Sequence, residues 1–335
     1  MPGIVRIASR SCLRRLWATV LVALVCACFD SAAFADTTYW RVTVDRVTVV
    51  ANGSAQRCSR LATQFLSFEG ILRELAHWDS DFVPPPVAFY SLSQQDARRV
   101  FLSDADRQRQ RADDMLIYSK FLPGRDFNIT AIVDMGGAED ALQSVLLLYA
   151  ESMLTSGPTL RHPPWYQLGV ANLLNGLIIR DDGSVLLNRN SPFEPVVNGD
   201  RHARVHYDLE KLLQTGASDL TASANYREFV HQAREWAEFG LLTTQERRSH
   251  YRELATLMRQ GEPAADAVKD AFGVPFEQVV AEFEGGRWHR EIQFRLTAPG
   301  TPAVIPAPAK LESGEANTLL QVVASRVSQG RPEAL

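Results

Sequence analysis

The sequence predicts an α+β protein in which an N-terminal half of strands and helices faces a helical C-terminal half across a cleft. Three observations predict this class. Residues 39–51 alternate apolar and polar side chains and are rich in Val and Thr, which is typical of one or two strands. Residues 55–77 instead repeat apolar side chains at helical spacing. From Pro163 onward the apolar patterns are mostly helical.

Strand and helix patterns alternate through the rest of the N-terminal half. The stretch "PPPVAFYSL" from Pro84 predicts a second strand and "SQQDARRVFL" a short helix, whereas residues 104–114 are charged and indicate a solvated loop. The stretch "RDFNITAIVDMGG" predicts a third strand that ends in two glycines. A helix should follow it, because Glu139 and Asp140 would lie in the first turn, where the helix dipole favours acidic side chains.

Helices dominate the C-terminal half, with one short strand in "GSVLLNRN". The predicted helices span residues 165–178, 208–214, 225–242, 246–259, 263–271 and 275–285. Asp208 is a predicted N-cap. A Pro/Ala-rich linker covers 297–310, and the residues after it are predicted to form a single helix or a disordered tail. These patterns divide the chain into a leader (1–35), an N-terminal half (36–160), a C-terminal half (161–296) and a linker with tail (297–335).

The first 35 residues have the features of a signal peptide. A basic stretch with several arginines precedes an apolar run that is short for a membrane span, and Ala33–Ala35 forms a small-x-small cleavage site. We therefore expect export to the periplasm or the extracellular space, with cleavage after Ala35. An uncleaved anchor, lipidation at Cys28 and twin-arginine export through Arg14-Arg15 remain alternatives.

Charge and cysteine content argue against a nucleic-acid-binding protein and against a protein stabilised by an intramolecular disulfide. The formal net charge is −4, and losing the basic leader makes it more negative, which argues against a nucleic-acid partner because such proteins usually present a basic face. Only Cys58 lies outside the leader, so no intramolecular disulfide can form. The exported protein must then be stabilised by its core, and Cys58 is expected to be a small buried helical residue.

The order of these elements resembles the gluzincin metallopeptidases, in particular the bacterial peptidase MA-like group. In that group one helix carries His-Glu-x-x-His, and the next begins Trp-x-x-Glu-Gly-x-Ala-Glu. The matching framework stretches are Trp165-Tyr-Gln-Leu-Gly169-Val-Ala171-Asn172, Phe68-Glu69, Trp236-Ala237 and residues 261–284. The resemblance covers about residues 38–290 and implies a zincin-like cleft between the two halves.

The resemblance also implies where a zinc site would lie. Counting back from Trp165 by the group's spacing places the first His at Leu147, the general-base Glu at Leu148 and the second His at Glu151. The third ligand falls on Leu168, and the supporting acid on Asn172. No shift of register within this segment restores a His pair four residues apart. Zinc catalysis needs about three N or O donors, so we expect no catalytic residue and no bound cofactor, although the group uses zinc.

The side chains at these positions suggest a filled site. Leu147 and Leu168 are expected to occupy the space of the metal and its water, on a helix that is apolar nearly all round and therefore buried on most sides. Glu151 is the exception, since a carboxylate among leucines is costly unless it is paired or solvated. It should face the cleft mouth and meet water or Arg161, or else remain as a polar determinant of a ligand pocket.

The leading hypothesis is an exported, catalytically inactive gluzincin-like protein with a binding, scaffolding or regulatory role, whose partner is an unidentified protein or peptide. One alternative is a metal-dependent hydrolase with a displaced site, built from His202, His206 and an acid such as Glu151 or Glu210. The predicted N-cap at Asp208 argues against it, because both histidines would then precede the helix. Another alternative is a structural envelope protein tethered by its N-terminus or its tail.

Overall fold

A computed structural model gives the architecture. It describes residues 37–76, 83–103, 106–107, 119–124, 128–133, 140–156, 162–179, 185–187, 208–216, 219–220, 226–286 and 304–329. Residues Thr38–Leu335 form one compact unit. The leader with Cys28, Arg161 and the two histidines His202 and His206 lie outside the described residues.

Eight strands form two sheets. They are β1 (Tyr39–Val44), β2 (Val47–Asn52), β3 (Val87–Leu92), β4 (Ser119–Leu122), β5 (Asn128–Val133), β6 (Leu177–Ile179), β7 (Val185–Leu187) and β8 (Ala309–Lys310). The larger sheet has the order β4-β5-β3-β2-β1-β8, and β6 pairs with β7 in a separate hairpin. Strands β2, β3 and β5 run parallel, whereas β4 runs antiparallel to β5 at one edge.

Ten helices lie within the described residues. They are α1 (Ala55–Ala76), α2 (Gln94–Phe101), α3 (Asp140–Ser156), α4 (Pro164–Asn175), α5 (Leu209–Gln214), α6 (Tyr226–Leu242), α7 (Gln245–Arg259), α8 (Ala264–Phe272), α9 (Phe276–Glu284) and α10 (Ser313–Gln329). Because the strands are mostly N-terminal and the helices mostly C-terminal, the predicted α+β class is confirmed.

The long helix α1 packs its apolar face against the β1–β2 hairpin. The side chains that define its periodicity in the sequence are all buried: Leu61, Phe65, Phe68, Leu72 and Leu75. Cys58 is also buried, as expected, and its thiol donates to the carbonyl of Trp40 at 3.4 Å. Burying such a set of large apolar side chains contributes roughly 1.5–3 kcal/mol for each one removed from water.

Local capping explains where several helices begin and end. Asp208 is the N-cap of α5, as predicted, and its carboxylate accepts from the backbone N–H of Glu210 at 2.9 Å. Ser93 caps α2 in the same way, and its hydroxyl also donates to Asp96. Helix α8 ends at Gly273, whose φ of +68° is the left-handed conformation that glycine adopts without strain.

Three strands, β4, β6 and β8, are absent from the sequence-based prediction. Residues 177–178 are predicted as the end of a helix, but α4 stops at Gly176 and the apolar residues after it form β6, which pairs with β7. The hairpin pairing overrides the helical periodicity there. Strand β4 is only four residues long, which is too short to show an alternating pattern.

The two halves are joined where helix α1 ends. The carbonyl of Leu75 accepts from the Tyr166 hydroxyl at 3.1 Å, and the carbonyl of Glu74 accepts from Arg252. The Glu74 side chain also pairs with Arg248 at 3.0 Å. The last carbonyls of a helix have no partner within the helix, so residues of α4 and α7 satisfy them here.

Glycine allows helix α4 to approach its neighbour closely. A Cβ at Gly169 would collide with the backbone carbonyl of Ala233 on α6, and this backbone cannot move aside as a flexible side chain can. Trp165, Ala171 and Trp236 are fully buried around the same contact. The framework residues that carry the resemblance therefore have a packing role in this chain.

The C-terminal segment, assigned from sequence to a linker and tail, packs against the N-terminal half. Strand β8 pairs with the edge strand β1, and the N–H of Leu311 donates to the carbonyl of Tyr39 at 2.9 Å. Glu315 forms an ion pair with Arg41. Helix α10 then packs against α2 and buries Ala316, Leu320, Val323 and Val327. The segment thus covers a sheet edge that would otherwise be open to pairing with another chain.

Two adjacent valines on α10 test this docking. Val323 is 0% exposed and Val322 is 37% exposed, so both substitutions to alanine change helix propensity equally while only one removes buried methyl groups. We expect Val323→Ala to lower the free energy of unfolding by about 2 kcal/mol and Val322→Ala to change it little. Urea unfolding measures both variants. Equal effects would contradict a docked α10.

Within the described residues, no helix combines the length and the apolar character that crossing a membrane requires.

Candidate functional site on helices α3 and α4

Helix α3 has one buried face and one face that is partly open. Leu146, Tyr149 and Met153 are buried in the core. On the other face Leu147 is half-buried against the core, and Leu148 is 38% exposed. Most of the described apolar side chains of α3 are buried, and Leu148 is the exception among them.

Helix α4 supplies the remaining positions named by the resemblance. Leu168 is half-buried and packs against the core. Asn172 is also half-buried, and its Nδ2 donates to the carbonyl of Leu168 at 2.9 Å. The amide of Asn172 thus already hydrogen-bonds within its own helix, one turn back. Because its side chain is an amide, Asn172 supplies no carboxylate that could support a metal ligand.

Glu151 lies four residues after Leu147, so the two side chains share one face of α3. Its side chain is half-buried, and burial raises the pKa of its carboxyl above the ordinary value of 4.5. No basic residue among those described forms an ion pair with it. Arg161, the partner considered from sequence, lies outside the described residues.

Tyr226, the first residue of α6, is the neighbour that the sequence did not predict. Its ring is 43% exposed. Burial and the charge of Glu151 both raise the pKa of the Tyr226 hydroxyl. The two residues are 75 positions apart in the chain, so no local pattern could have paired them. We call these two residues and the exposed Leu148 the α3 patch: Leu148, Glu151 and Tyr226.

These positions do not fit a zinc ion. Leu147, Leu148 and Leu168 offer no donor atom, and the single carboxylate of Glu151 falls short of the three protein ligands that catalytic zinc needs. Elsewhere in the described part of the chain, no three His, Cys, Asp or Glu side chains cluster closely enough to hold a metal. Glu210 is the acid considered for the displaced site with His202 and His206. It is exposed on α5, and its carboxylate accepts from the amide of Gln214 at 3.1 Å.

A buried ion pair joins the β1–β2 turn to helix α1 in the N-terminal half. The tight turn between β1 and β2, with Asp45 at a φ of +50°, brings Arg46 onto Glu69 of α1. Glu69 is 6% exposed, and Arg46 also donates to the carbonyl of Pro85 at 3.1 Å. Sequence reasoning identified Glu69 only through the resemblance and missed Arg46, because a basic residue in a turn is normally solvated.

The same guanidinium reaches helix α3 through Tyr149. This tyrosine is fully buried and packs edge-on or tilted against Phe65 and Phe121. Burial raises the pKa of its hydroxyl, while the nearby charges of Arg46 and Arg73 partly oppose the rise. Arg46 therefore pairs with Glu69 of α1 and also lies near the buried Tyr149 of α3.

Comparison with known proteins adds no further identification. No family model matches the chain, and no curated protein matches it significantly in sequence. The fold and the site define an α+β protein with a partly apolar, single-carboxylate patch on α3.

Replacing Glu151 with glutamine is expected to stabilise the protein at neutral pH. Because the pKa of Glu151 is raised in the folded state, folding binds its proton more tightly, and the ionised form destabilises the fold. This penalty is complete above the raised pKa and disappears as the pH falls towards 4.5 and below it. The advantage of Glu151→Gln should therefore shrink on acidification.

Urea unfolding over this pH range measures the effect. Glu284→Gln is the matched control, because Glu284 is an exposed carboxylate on α9. If Glu151→Gln is less stable than wild type at neutral pH, the carboxylate has a stabilising partner and the expectation is wrong.

Proposed function

We propose that this protein is an exported, catalytically inactive member of the gluzincin group that binds a protein or peptide through the surface around helix α3. The observation that carries the proposal is the set of leucines at Leu147, Leu148 and Leu168. The resemblance assigns these positions to two of the group's three zinc ligands and to its general base.

The element order supports the relationship. A hairpin, the long helix α1, further strands, then α3 and the Trp-initiated α4 follow one another as the resemblance requires. Gly169 lies at a close helix contact, where its lack of a side chain matters for packing, and Ala171 is fully buried. A framework that is maintained by packing can persist after its catalytic groups are lost.

Two features support binding. Five large apolar side chains are strongly exposed among the described residues, and two of them, Leu148 and Tyr226, belong to the α3 patch. Strand β4 ends the sheet order and packs against α3, and the structure describes no strand on its outer side. An edge strand packed against the helix that carries the exposed Leu148 suits an extended peptide, which would add its own backbone hydrogen bonds.

Export rests on the leader. The basic stretch, the apolar run and the small residues before Asp36 support secretion across a membrane. The proposed role is therefore a regulatory or scaffolding one in the cell envelope or outside the cell.

A peptide-cleavage assay tests the absence of activity. Purified residues 36–335 are incubated with casein and mixed peptides, with added zinc or with a chelator. We expect no cleavage that depends on metal. Cleavage that a chelator abolishes and zinc restores would contradict the proposal and would favour the displaced metal site.

A further inference from the structure

We propose that residues 304–329, which we call the C-terminal strap, exchange between two copies of this chain, so that the strap of each copy docks on strand β1 and helix α2 of the other. The partner is therefore a second copy of the chain, and the interface is the one that the strap forms within a single copy. The exchange goes beyond the proposed function and does not depend on what the α3 patch binds.

The surface that receives the strap is assembled without it. The hydroxyl of Tyr39 on β1 donates to the carboxylate of Asp96 on α2 at 2.8 Å, and the N–H of Ser93 donates to the same hydroxyl at 3.3 Å. Tyr39 and Asp96 are both buried, and β1 also pairs along its length with β2. Residues of the N-terminal half alone therefore fix β1 against α2, and the docking surface should keep its shape when the strap leaves.

The strap docks in the way that a peptide ligand does. Strand β8 adds two residues to the edge of β1, where Ala309 lies opposite Arg41. Helix α10 packs against α2, and its buried side chains follow one helical stripe: Ala316, Leu320, Val323 and Val327. Addition of a strand to a sheet edge and docking of an apolar helix face are two recurring modes of peptide recognition.

The strap lies largely outside the hydrophobic core. The core cluster of buried apolar side chains runs through α1 and α3 to α9, and among the described residues it includes none from α2 or α10. Ile305, at the start of the strap, is half-buried against this cluster. Detaching the strap therefore leaves the cluster itself intact, and such a local opening costs less free energy than global unfolding.

A second copy offers the same contacts as the chain itself. Because strap and docking surface are identical in every copy, exchange breaks and remakes the same hydrogen bonds, ion pair and apolar contacts, which makes it a low-cost route to a dimer. Residues 287–303 connect the strap to α9 and span at most about 60 Å. Such a tether holds the strap at an effective concentration on the order of millimolar, so exchange is expected mainly at high protein concentration.

Two single-cysteine variants detect the exchange. Arg41→Cys places a thiol on β1, and Ala309→Cys places one opposite it on β8, at the separation that a disulfide between paired strand residues needs. The two variants of residues 36–335, distinguished by mass, are mixed at high concentration with oxidised glutathione. Because each variant lacks one of the two thiols, a disulfide between positions 41 and 309 requires the strap of one copy on β1 of another.

Two controls calibrate this cross-linking. Val304→Cys replaces Ala309→Cys in a second mixture, because Val304 is 91% exposed in the same strap and is not paired with Arg41. We expect the disulfide to position 309 to form at least about tenfold faster than the one to position 304, since docking holds only the former pair at bonding distance. A chain that carries both Arg41→Cys and Ala309→Cys should form the disulfide internally.

Three matched substitutions separate detachment of the strap from global unfolding. Val323→Ala, added to both cysteine variants, should accelerate exchange by about 10- to 30-fold, because the strap with fewer buried methyl groups opens more often. Val322→Ala, on the exposed face of α10, should change the rate little. Val268→Ala makes the same deletion at a fully buried position of α8, a helix that packs against α7 and α9, and should also leave the rate unchanged.

Three results would overturn the proposal. Equal rates for positions 309 and 304 would mean that the disulfides form by random collision. No disulfide between copies would mean that the strap stays with its own chain, and none within the double-cysteine chain would mean that β8 does not pair with β1. Equal acceleration by Val268→Ala and Val323→Ala would also overturn it, because exchange would then need global unfolding. Failure of the proposed function would show instead as metal-dependent peptide cleavage.

Discussion

Four substitutions on α3 and α4 are expected to create a zinc site. At the assigned positions the wild-type chain offers a single donor, the carboxylate of Glu151. The variant combines Leu147→His, Glu151→His, Leu148→Glu and Leu168→Glu. Two histidines four residues apart on one helix face can share one metal ion, and a glutamate from the next helix completes three protein ligands. The variant should bind one zinc per chain, while wild type should bind none at the same free concentration.

Zinc should also stabilise this variant. A metal that binds only the folded state raises the free energy of unfolding by about 2.7 kcal/mol when its free concentration is 100 times Kd. Thermal unfolding with and without zinc measures this rise, and a chelator should reverse it. No such rise is expected for wild type.

A shifted variant controls for the register. It carries Leu148→His, Ser152→His and Leu168→Glu, so its histidine pair has the same spacing but is displaced by one residue around the helix. Residue 148 is exposed and residue 152 is half-buried, so the substitutions are tolerable in the fold. Tighter zinc binding by the shifted variant, or no binding by a folded four-substitution variant, would show that the assigned positions are wrong.

The second large effect is expected at the buried ion pair. Replacing Glu69 with alanine leaves the guanidinium of Arg46 without its carboxylate, in a position that is largely removed from water. Breaking one side of a buried pair costs about 3–5 kcal/mol. Tyr149 should sense the change as well, because Arg46 lies beside its hydroxyl. Urea unfolding measures the loss, and the near-ultraviolet signal of the tyrosines reports the rearrangement.

Two controls separate charge burial from helix packing. Glu74→Ala removes a carboxylate from the same helix, but Glu74 is more exposed and pairs with Arg248, so it should cost about 1 kcal/mol or less. The double variant Arg46→Met with Glu69→Leu removes both charges and should recover most of the stability. If Glu69→Ala costs no more than Glu74→Ala, the Arg46–Glu69 pair does not stabilise the fold as described.

Elements with a strong periodic pattern could be predicted from the sequence. Helix α1 is the clearest case, since all five of its predicted apolar positions are buried. Elements that depend on distant partners could not be predicted. Strand β4 exists because β5 pairs with it, and β8 exists because the edge of β1 accepts it. Neither is long enough to show a pattern of its own.

The candidate site also has one part that the sequence predicts and one part that depends on distant residues. The spacing from Trp165 identifies Leu147, Glu151 and Leu168, and helical geometry alone places the first two on one face. The exposure of Leu148 could not be predicted, because the composition indicated a helix that is apolar nearly all round. In the folded protein Leu148 is nevertheless open to solvent. Tyr226 and Arg46 come from distant parts of the chain, so only the tertiary structure shows their proximity to α3.

The most direct test of the account is the metal content of wild-type protein. Residues 36–335, purified without chelator and equilibrated with a small excess of free zinc, are analysed by mass spectrometry of the metal after dialysis. The account predicts no stoichiometric zinc, because the resemblance places Leu147 and Leu168 at two of the three ligand positions and Leu148 at the position of the general base. One tightly held zinc per chain would contradict it.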